Sequence, residues 1–323
     1  MNKNSRVYIA GHQGLVGSAL IRALKSRGLN NLITATRNEL NLLNQAAVNR
    51  FFEENEIDYV FVAAAKVGGI LANSSFPADF IYENLTIATH IIHAAYKNKI
   101  KKLVYLGSSC IYPKNCPQPI KEEYLLSGPL EPTNEAYAIA KIAGLKLCEF
   151  YRSQYGQDFI AAMPTNLYGP FDNFHPQNSH VLPALIRRFH EAKMNGAKNV
   201  VVWGSGNPIR ELLYSDDLAD ALILLMDKYQ SGNVINIGTG EGLSIAEIAY
   251  QVKEVVEYTG NIVFDKSKPD GTPKKVLNID KILSLGWKPS TPLKEGIARA
   301  YLWALENHVF ASPKTLQFEN RLG

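Results

Sequence analysis

Apolar and polar positions in the first half of the chain follow two alternating patterns. Short continuous apolar runs, typical of strands buried on both faces, occur at Arg6–Ala10, Leu32–Ala35, Tyr59–Val62, Lys102–Leu106 and Phe159–Met163. Between them, apolar residues recur at helical spacing over Val16–Arg27, Gln45–Asn55, Ile81–Asn98 and Asn134–Tyr155. This alternation with short connections predicts an α/β fold, a doubly wound parallel sheet of the Rossmann type.

The pattern changes after Pro164. The stretch Tyr168–Pro183 is rich in Gly, Pro, Asn and His, which indicates an ordered functional loop or a crossing between domains. Strand and helix patterns return at Val200–Trp203, Val234–Ile237 and Ser244–Tyr258. We therefore expect a first domain that covers residues 1–165 and also takes in about 210–240. A smaller C-terminal α/β domain is expected over 166–209 and 241–310, followed by a tail at 311–323.

Composition narrows the class of protein. Of 323 residues, 46% are hydrophobic and 20% are charged, which excludes a disordered chain. The net charge of +4 is scattered, so we expect no nucleic-acid partner. The sequence shows no signal peptide and no apolar run of the roughly 20 residues that a membrane span needs. The three cysteines, Cys110, Cys116 and Cys148, fit reduced thiols without zinc-site spacing, so we expect a cytoplasmic protein without a metal.

The first predicted strand runs directly into a glycine-rich loop that opens a helix. Its GxxGxxG pattern consists of Gly11, His12, Gln13, Gly14, Leu15, Val16 and Gly17. Glycines allow a tight turn there and let backbone N–H groups approach a pyrophosphate, which the helix N-terminus attracts. This placement predicts a dinucleotide site. The alternative is a glycine turn used only for helix–strand packing.

The tip of the second predicted strand distinguishes the two nicotinamide dinucleotides. NAD enzymes place an acidic residue there for the ribose hydroxyls, whereas NADP enzymes accommodate the 2′-phosphate with a basic residue. Here Thr36 and Arg37 follow the strand with no acid at its tip, and Arg37 favours NADP. The alternative for Arg37 is a solvated surface arginine.

A tyrosine and a lysine, Tyr137 and Lys141, form a YxxxK pair on one face of the Asn134–Tyr155 helix. A free phenol has a pKa of about 10, and a nearby ammonium, together with the charge of an oxidised nicotinamide, is expected to lower it toward the working pH. Tyr137 would then be a usable general acid for a carbonyl that becomes an alcohol. The alternative is an ordinary helix-surface pair.

Two serines follow the fourth predicted strand, at the edge where open parallel sheets bind their ligands. We expect Ser108 to hydrogen-bond the substrate oxygen beside Tyr137. Ser109 is the alternative, because adjacent side chains on a strand point to opposite faces.

Several longer strings, together with these features, resemble the GDP-L-fucose synthases, a family of extended short-chain dehydrogenases/reductases that act on nucleotide sugars. The strings are AAAKVGGI (63–70), GSSCIYP (107–113), EPTNEAYAIAK (131–141), PTNLYGP (164–170), DNFHPQNSH (172–180) and KPDGTP (268–273). The resemblance covers nearly the whole chain. It implies an enzyme that inverts C3 and C5 of GDP-4-keto-6-deoxy-D-mannose and reduces C4 with NADPH, giving GDP-L-fucose.

The resemblance also implies roles for single residues. Cys110 and His180 match the family's epimerisation pair. Without the resemblance, the alternative for Cys110 is a small buried side chain, and the alternative for His180 is a loop histidine bonded to the backbone. The catalytic residues implied are Ser108, Cys110, Tyr137, Lys141 and His180. The cofactor residues implied are the phosphate loop, Arg37, Lys141, Pro164, Thr165, Asn166, Leu167 and His180. Arg188, Trp203, Arg210 and Asp270 would bind the GDP-sugar in the smaller domain. A homodimer is implied, formed by pairing the Ile81–Asn98 and Asn134–Tyr155 helices.

One residue departs from the family pattern, and two other functions compete with the one that the resemblance implies. Gln13 stands where family members often carry arginine, so the preference for NADP over NAD is expected to be modest. The first competitor is an NAD-dependent nucleotide-sugar 4-epimerase or 4,6-dehydratase. Such enzymes usually have an acid at the second strand tip, and dehydratases have Asp-Glu where Ser109 and Cys110 stand. The second is a non-catalytic NADP-binding redox sensor, which the intact Tyr137 and Lys141 disfavour.

Overall fold

The computed structural model describes residues 1–176, 178–268 and 270–310, with the backbone alone at 70 and 71. The expected tail at 311–323 lies outside these residues. The strands are β1 (Val7–Ala10), β2 (Leu32–Ile33), β3 (Tyr59–Val62), β4 (Lys102–Leu106), β5 (Phe159–Pro164), β6 (Asn166–Tyr168), β7 (Asn199–Trp203), β8 (Ile209–Arg210), β9 (Leu212–Tyr214), β10 (Ile235–Ile237), β11 (Leu243–Ser244), β12 (Asn261–Asp265) and β13 (Lys274–Lys275). The helices are α1 (Leu15–Ser26), α2 (Gln45–Glu54), α3 (Ile70–Ser75), α4 (Pro77–Lys97), α5 (Glu135–Tyr155), α6 (Val181–Met194), α7 (Ser215–Lys228), α8 (Ile245–Val256), α9 (Asp280–Ser284) and α10 (Leu293–Glu306).

The predicted doubly wound parallel sheet is confirmed. Six strands lie in the order β10-β5-β4-β3-β1-β2, and every neighbouring pair is parallel. Helices α1 and α7 pack together, and α4 packs on α2 and α5. The strand order reverses direction between β1 and β3, which creates the crevice where open α/β sheets bind ligands.

Two hydrophobic cores divide the described residues. The larger core lies around the six-stranded sheet and includes all four residues of β1, the strand that leads into the phosphate loop. The smaller core joins residues of α6, α8 and α10 to strand β7. Leu277, Ile282 and Trp287 belong to the larger core, although they follow the smaller domain's strands in sequence. The exact domain boundaries therefore stay a prediction.

The region expected to be a loop through Pro183 contains more regular structure than its composition indicates. Strand β6 pairs in parallel with β9, and α6 already begins at Val181. Pro183 is compatible with this because the first turn of a helix has N–H groups without helical acceptors, so the missing N–H costs nothing there. His180 thereby becomes the residue that caps the start of α6.

Helix α4 begins at Pro77, four residues before the predicted start at Ile81. Proline at the first helical position is favourable because its fixed φ angle suits the helix. Helix α5 ends where Gly156 adopts the left-handed conformation with φ 68°. No described helix has the length and apolar character needed to cross a membrane.

Candidate active site

The phosphate loop fits a dinucleotide because its glycines lie where side chains cannot. A Cβ on Gly11, whose φ is +82°, would lie 2.8 Å from the backbone N of Ala64, just after β3. A Cβ on Gly17 would lie 2.1 Å from the Gly11 carbonyl oxygen. Gly14 starts α1 without a side-chain cap, and the first turn of α1 contains no acidic residue. The N–H groups of this turn are thus available to an anion.

Arg37 lies exposed just beyond β2, where a 2′-phosphate would be read. The nearby acid Glu39 folds back onto the chain, with its Oε2 accepting hydrogen bonds from Thr36 N at 2.7 Å and Thr36 Oγ1 at 2.8 Å. These bonds lower the pKa of Glu39, and His12 adds a smaller electrostatic contribution in the same direction. The carboxylate therefore holds the turn that carries Arg37. The sequence reasoning missed this contact, although the T-x-x-E spacing is a recognisable capping pattern.

The residues of the predicted reductase group meet at the end of β4. Ser108 hydrogen-bonds the side chain of Tyr137. Lys141 is buried, with its Nζ donating to the Leu106 carbonyl oxygen at 2.7 Å and lying 5.7 Å from the centre of the Tyr137 ring. Ser109 is also buried, at 3% exposure, but the partner of Tyr137 is Ser108.

The pKa of Tyr137 shifts upward, so the lowering expected from the nearby ammonium is wrong. Burial, with Cys110 and Tyr105 adding to it, raises the pKa of Tyr137, and the hydrogen bond with Ser108 opposes this only in part. Lys141 does not offset this rise, although its Nζ lies 5.7 Å from the centre of the ring. Burial lowers the pKa of Lys141 itself to about 8. A tyrosine that keeps its proton near neutral pH is still suited to donating one during a reduction.

Cys110 and His180, the predicted epimerisation pair, belong to the same electrostatic cluster. Cys110 is partly buried in the short 3₁₀ turn after Ser108 and interacts with Tyr137, Lys141 and Lys275. His180 lies at the start of α6 and remains exposed as a residue. Burial of its ring is the main cause that lowers the pKa of His180, and the charge of Lys275 is the second cause.

The segment from Pro164 to Leu167 is fixed at the end of β5. The Thr165 backbone N donates to Ile237 O at 2.9 Å, and Asn166 Nδ2 donates to Glu211 O at 3.2 Å. Pro164 and Thr165 are buried, whereas Asn166 and Leu167 are partly exposed. This segment follows the same edge of the sheet as Ser108, where a nicotinamide would have to lie.

The four predicted substrate residues form two pairs. The Arg188 guanidinium lies 5.3 Å from the centre of the Trp203 ring, and 62% of Trp203 is exposed. Arg210 donates from Nη1 to the Thr272 carbonyl oxygen at 2.6 Å and interacts electrostatically with Asp270. The carboxylate of Asp270 accepts hydrogen bonds from Ser205 N at 2.8 Å and from Ser205 Oγ at 2.6 Å.

Two residues that the sequence reasoning missed hold these segments together. Glu211 is fully buried, and its carboxylate accepts backbone hydrogen bonds from Gly240 at 2.7 Å and Leu277 at 2.8 Å. Lys275 lies opposite Arg210 in the pairing of β13 with β8 and interacts electrostatically with Cys110. No local spacing signals either residue, because their partners come from distant parts of the chain. Among the described residues, no group of three or more His, Cys, Asp or Glu side chains forms a possible metal site.

Residues 7–238 match the model of the family described as the NAD dependent epimerase/dehydratase family. The chain belongs to this family. The chain is 58% identical to a probable GDP-L-fucose synthase 1 of rice over 311 residues, and the match covers 96% of this chain and 95% of the relative. It is 56% identical to the GDP-L-fucose synthase of Escherichia coli K12, covering 94% of this chain and 97% of the relative.

A solved structure with NADP bound is also similar to this member of the family. It is a GDP-mannoheptose C4 reductase from Campylobacter jejuni, with a TM-score of 0.88 and 44% identity. The match covers 94% of this chain and 99% of that chain. The family, the fold and the position of the crevice between β1 and β3 are thus consistent with a dinucleotide bound at the phosphate loop.

Proposed function

We propose that this protein is a bifunctional 3,5-epimerase and NADPH-dependent 4-reductase that converts GDP-4-keto-6-deoxy-D-mannose to GDP-L-fucose. The observation that carries the proposal is one cluster at the end of β4 that holds both a proton donor for reduction and a base for epimerisation. In that cluster Ser108 is bonded to Tyr137, and Cys110 interacts electrostatically with Tyr137. The high identity to GDP-L-fucose synthases over nearly full length supports the same activity.

The epimerase step needs a base and an acid on opposite faces of the sugar. The C3 and C5 protons are acidic because the C4 carbonyl stabilises the carbanion as an enolate. Cys110, as a thiolate, accepts the proton, while Ser108 and Tyr137 donate hydrogen bonds to the enolate oxygen. His180 then delivers a proton to the other face of the same carbon. Exchange with water restores the thiolate and the imidazolium, so the incoming hydrogen is derived from solvent.

The reductase step uses the same oxygen contacts. When bound, NADPH supplies the hydride that adds to C4. Tyr137 gives its proton to the C4 oxygen, Ser108 holds that oxygen in place, and solvent returns a proton to Tyr137. Lys141, anchored on Leu106 at 2.7 Å, positions the end of the cofactor nearest Tyr137. Both half-reactions thus take place on one bound sugar.

NADP(H) is the cofactor that the loop and strand tip fit. The first turn of α1 offers uncapped N–H groups to the pyrophosphate, and Arg37 offers a cation to the 2′-phosphate. Because Glu39 is engaged by Thr36, it does not compete for the ribose in the way an NAD enzyme's acid does. Gln13 supplies no charge, so the preference for NADPH depends on Arg37.

The GDP-sugar is bound by the smaller domain in this proposal. The exposed ring of Trp203 offers a flat surface for the guanine, and the neighbouring Arg188 adds charge for the nucleotide. Arg210 is directed toward the diphosphate, and Asp270 orients the Gly204–Ser205 turn beside it.

Assembly and location are proposals of the same kind. A homodimer is supported by apolar side chains that α4 and α5 leave in solvent, since Tyr82 is 64% and Phe150 is 61% exposed. Helices α4 and α5 pack on each other, so pairing them with a second copy would form a four-helix bundle. A cytoplasmic location is supported by the free thiols of Cys110, Cys116 and Cys148.

The test is one reaction mixture of purified protein, GDP-4-keto-6-deoxy-D-mannose and NADPH. Loss of nicotinamide absorbance should accompany formation of GDP-L-fucose, identified by NMR. Formation of only the unepimerised 6-deoxy sugar would keep the reductase and remove the epimerase from the proposal. No turnover, with tightly bound NAD released on denaturation, would favour a 4-epimerase or dehydratase instead.

A further inference from the structure

A glycine outside the predicted site residues joins the edge of the large sheet to the segment that carries His180. Gly69 lies in the loop that follows β3, the strand paired with β4, whose end leads to Ser108. The Gly69 backbone N donates to the Asn178 carbonyl oxygen at 3.2 Å. His180 follows two residues later and caps α6. This contact therefore relates the position of His180 to the sheet edge that bears Ser108.

The absence of a side chain at Gly69 is what allows the two segments to approach each other. A Cβ placed there would lie 3.2 Å from the Ser179 carbonyl oxygen and 3.4 Å from the Asn178 carbonyl oxygen, so these groups would have to move by a few tenths of an ångström. The backbone of Gly69 has φ −65° and ψ 179°, which an alanine adopts without strain. Glycine is thus needed here for space, and an alanine at this position tests the contact alone.

The other described hydrogen bonds of Asn178 stay within its own loop. Asn173 Nδ2 donates to the Asn178 carbonyl oxygen at 3.4 Å, and the Asn178 backbone N donates to His175 Nδ1 at 3.2 Å. In the part of the chain that the structure describes, the hydrogen bond from Gly69 is therefore the one that connects Asn178 to the sheet edge.

The turn that presents Gly69 is itself held by two buried amides. Asn73, which is 7% exposed, donates from Nδ2 to the Gly68 carbonyl oxygen at 2.7 Å and to the Gly69 carbonyl oxygen at 3.1 Å. Asn84 of α4 accepts from the Lys66 backbone N at 2.9 Å and donates to the Lys66 carbonyl oxygen at 3.0 Å. These bonds anchor the turn to α3 and α4, so the N–H of Gly69 is a fixed donor.

We propose that Gly69 is a positioning residue that sets the place of His180 as the proton donor of the epimerase step. Its N–H and its lack of a side chain define where the backbone just before His180 lies. Proton transfer needs the donor within hydrogen-bonding reach of the reacting carbon, so a small displacement of His180 slows it. The inference rests on the proposed function for its catalytic consequence, whereas the position of the His180 ring can be followed without substrate.

Loss of this position has a signature that general damage to the enzyme lacks. After the Cys110 thiolate has taken a proton from C3 or C5, the His180 imidazolium completes the inversion by protonating the opposite face of the enolate. When His180 is displaced, the Cys110 thiol exchanges its proton with D₂O and returns a deuteron to the original face, which restores the ketone. Deuterium then enters with retained configuration. The ratio of inversion to deuterium incorporation falls, whereas a partly unfolded enzyme loses both in proportion.

The first measurement is this ratio, taken from initial rates by NMR with GDP-4-keto-6-deoxy-D-mannose in D₂O and no NADPH. A misplacement of 1 Å costs about 10²-fold, so the smaller one in Gly69→Ala should lower the ratio about tenfold. Asn73→Ala removes the two bonds that hold the turn and should lower the ratio as well. It takes the place of Gly69→Ala if that variant does not fold, as judged by thermal melting.

The matched control is Gly128→Ala, in which the nearest atom to the new Cβ is Pro113 Cβ at 3.4 Å. This is an ordinary packing distance, so the control should keep the wild-type ratio of inversion to deuterium incorporation. A wild-type ratio in folded Gly69→Ala would overturn the inference. The same result in folded Asn73→Ala would do so if Gly69→Ala cannot be obtained.

The second measurement separates this inference from the proposed function. In ligand-free protein with ¹⁵N-labelled histidine, the ring signals of His180, assigned with His180→Gln, should shift in Gly69→Ala and stay unchanged in Gly128→Ala. The signals of His90 and His93 on α4 serve as internal references. If the wild type neither inverts nor exchanges while the His180 signals still depend on position 69, the proposed epimerase fails and the contact stands. If the wild type inverts the sugar and the His180 signals of Gly69→Ala match those of the wild type, the positioning role of Gly69 fails alone.

Discussion

The side chains of Ser108 and Tyr137 are hydrogen-bonded to each other across the gap between the end of β4 and the first turn of α5. This bond joins two elements that are separated in the chain by residues 107–134. It places two donors side by side at the sheet edge. A carbonyl oxygen bound there would replace this mutual hydrogen bond and accept one from each hydroxyl, which is what both proposed half-reactions need.

Tyr137→Phe should abolish the reduction while leaving the fold intact. Removing a general acid costs about 10²–10⁴-fold in rate. NADPH oxidation with GDP-4-keto-6-deoxy-D-mannose should fall by that range, and protein thermal melting should be close to wild type. Tyr82→Phe, which removes a hydroxyl from an exposed tyrosine of α4, is the control and should reduce normally. Reduction within threefold of wild type in Tyr137→Phe would contradict the assignment.

Cys110→Ser should separate the two half-reactions. A hydroxyl is a far weaker base than a thiolate at neutral pH, so deuterium incorporation at C3 and C5 should slow by about 10²-fold. NADPH oxidation should continue and yield the unepimerised sugar, which NMR distinguishes. Cys116→Ser is the control, because its thiol lies in a loop and is disfavoured as a thiolate by burial. Wild-type exchange in Cys110→Ser would remove this residue from the mechanism.

Arg37→Ala should weaken NADPH more than NADH. A charge-assisted hydrogen bond to a phosphate contributes about 1.5–3 kcal/mol, so the Michaelis constant for NADPH should rise by about tenfold or more. The constant for NADH, which lacks the 2′-phosphate, should change little. Arg50→Ala removes another exposed arginine and should affect neither cofactor. Equal effects of Arg37→Ala on both cofactors would mean that Arg37 is a surface arginine.

Gly17→Ala should disrupt the phosphate loop, and Gly14→Ala should be tolerated far better. A Cβ at position 17 would lie 2.1 Å from the Gly11 carbonyl oxygen, whereas at position 14 its nearest neighbour would lie 3.5 Å away. Overpacking of this kind costs about 1–3 kcal/mol and must displace the loop. Calorimetric NADPH binding should weaken by at least about tenfold in Gly17→Ala. Binding that is equally strong in both variants would show that the loop does not hold the cofactor.

The sequence was sufficient for the fold and for the motifs that lie within one segment. The order of buried strands and amphipathic helices predicted the parallel sheet, because each βαβ unit is a local pattern with one favoured handedness. The YxxxK pair and the glycine loop are local for the same reason. The start of α6 was missed since Pro183 and the surrounding polar residues look like a loop until His180 is seen to cap a helix.

Contacts between distant segments could not be predicted in the same way. Glu211 binds the backbones of Gly240 and Leu277, and Lys275 lies opposite Arg210, yet nothing in the spacing relates these positions. The pair with Lys141 predicts a lowered pKa for Tyr137, whereas burial, followed by the electrostatic effects of Cys110 and Tyr105, raises it. Electrostatics at a site depends on the whole surrounding fold, which a single motif does not encode.

The pH dependence of reduction should show a loss of activity as the pH rises through about 8. Burial lowers the pKa of Lys141 to about 8, so its ammonium persists below that pH and is lost above it. Without the ammonium, the bond to Leu106 and the charge beside the cofactor are weakened. The ratio kcat/KM for NADPH reports the free enzyme and should fall about tenfold for each pH unit above this point.

Lys141→Arg should lack this fall because arginine stays charged, and Lys146→Arg, on the same helix, should keep it. Binding of NADPH, measured by protein fluorescence, should weaken over the same range. A kcat/KM that stays level between pH 7 and 9.5 in the wild type would contradict a role for the Lys141 ammonium.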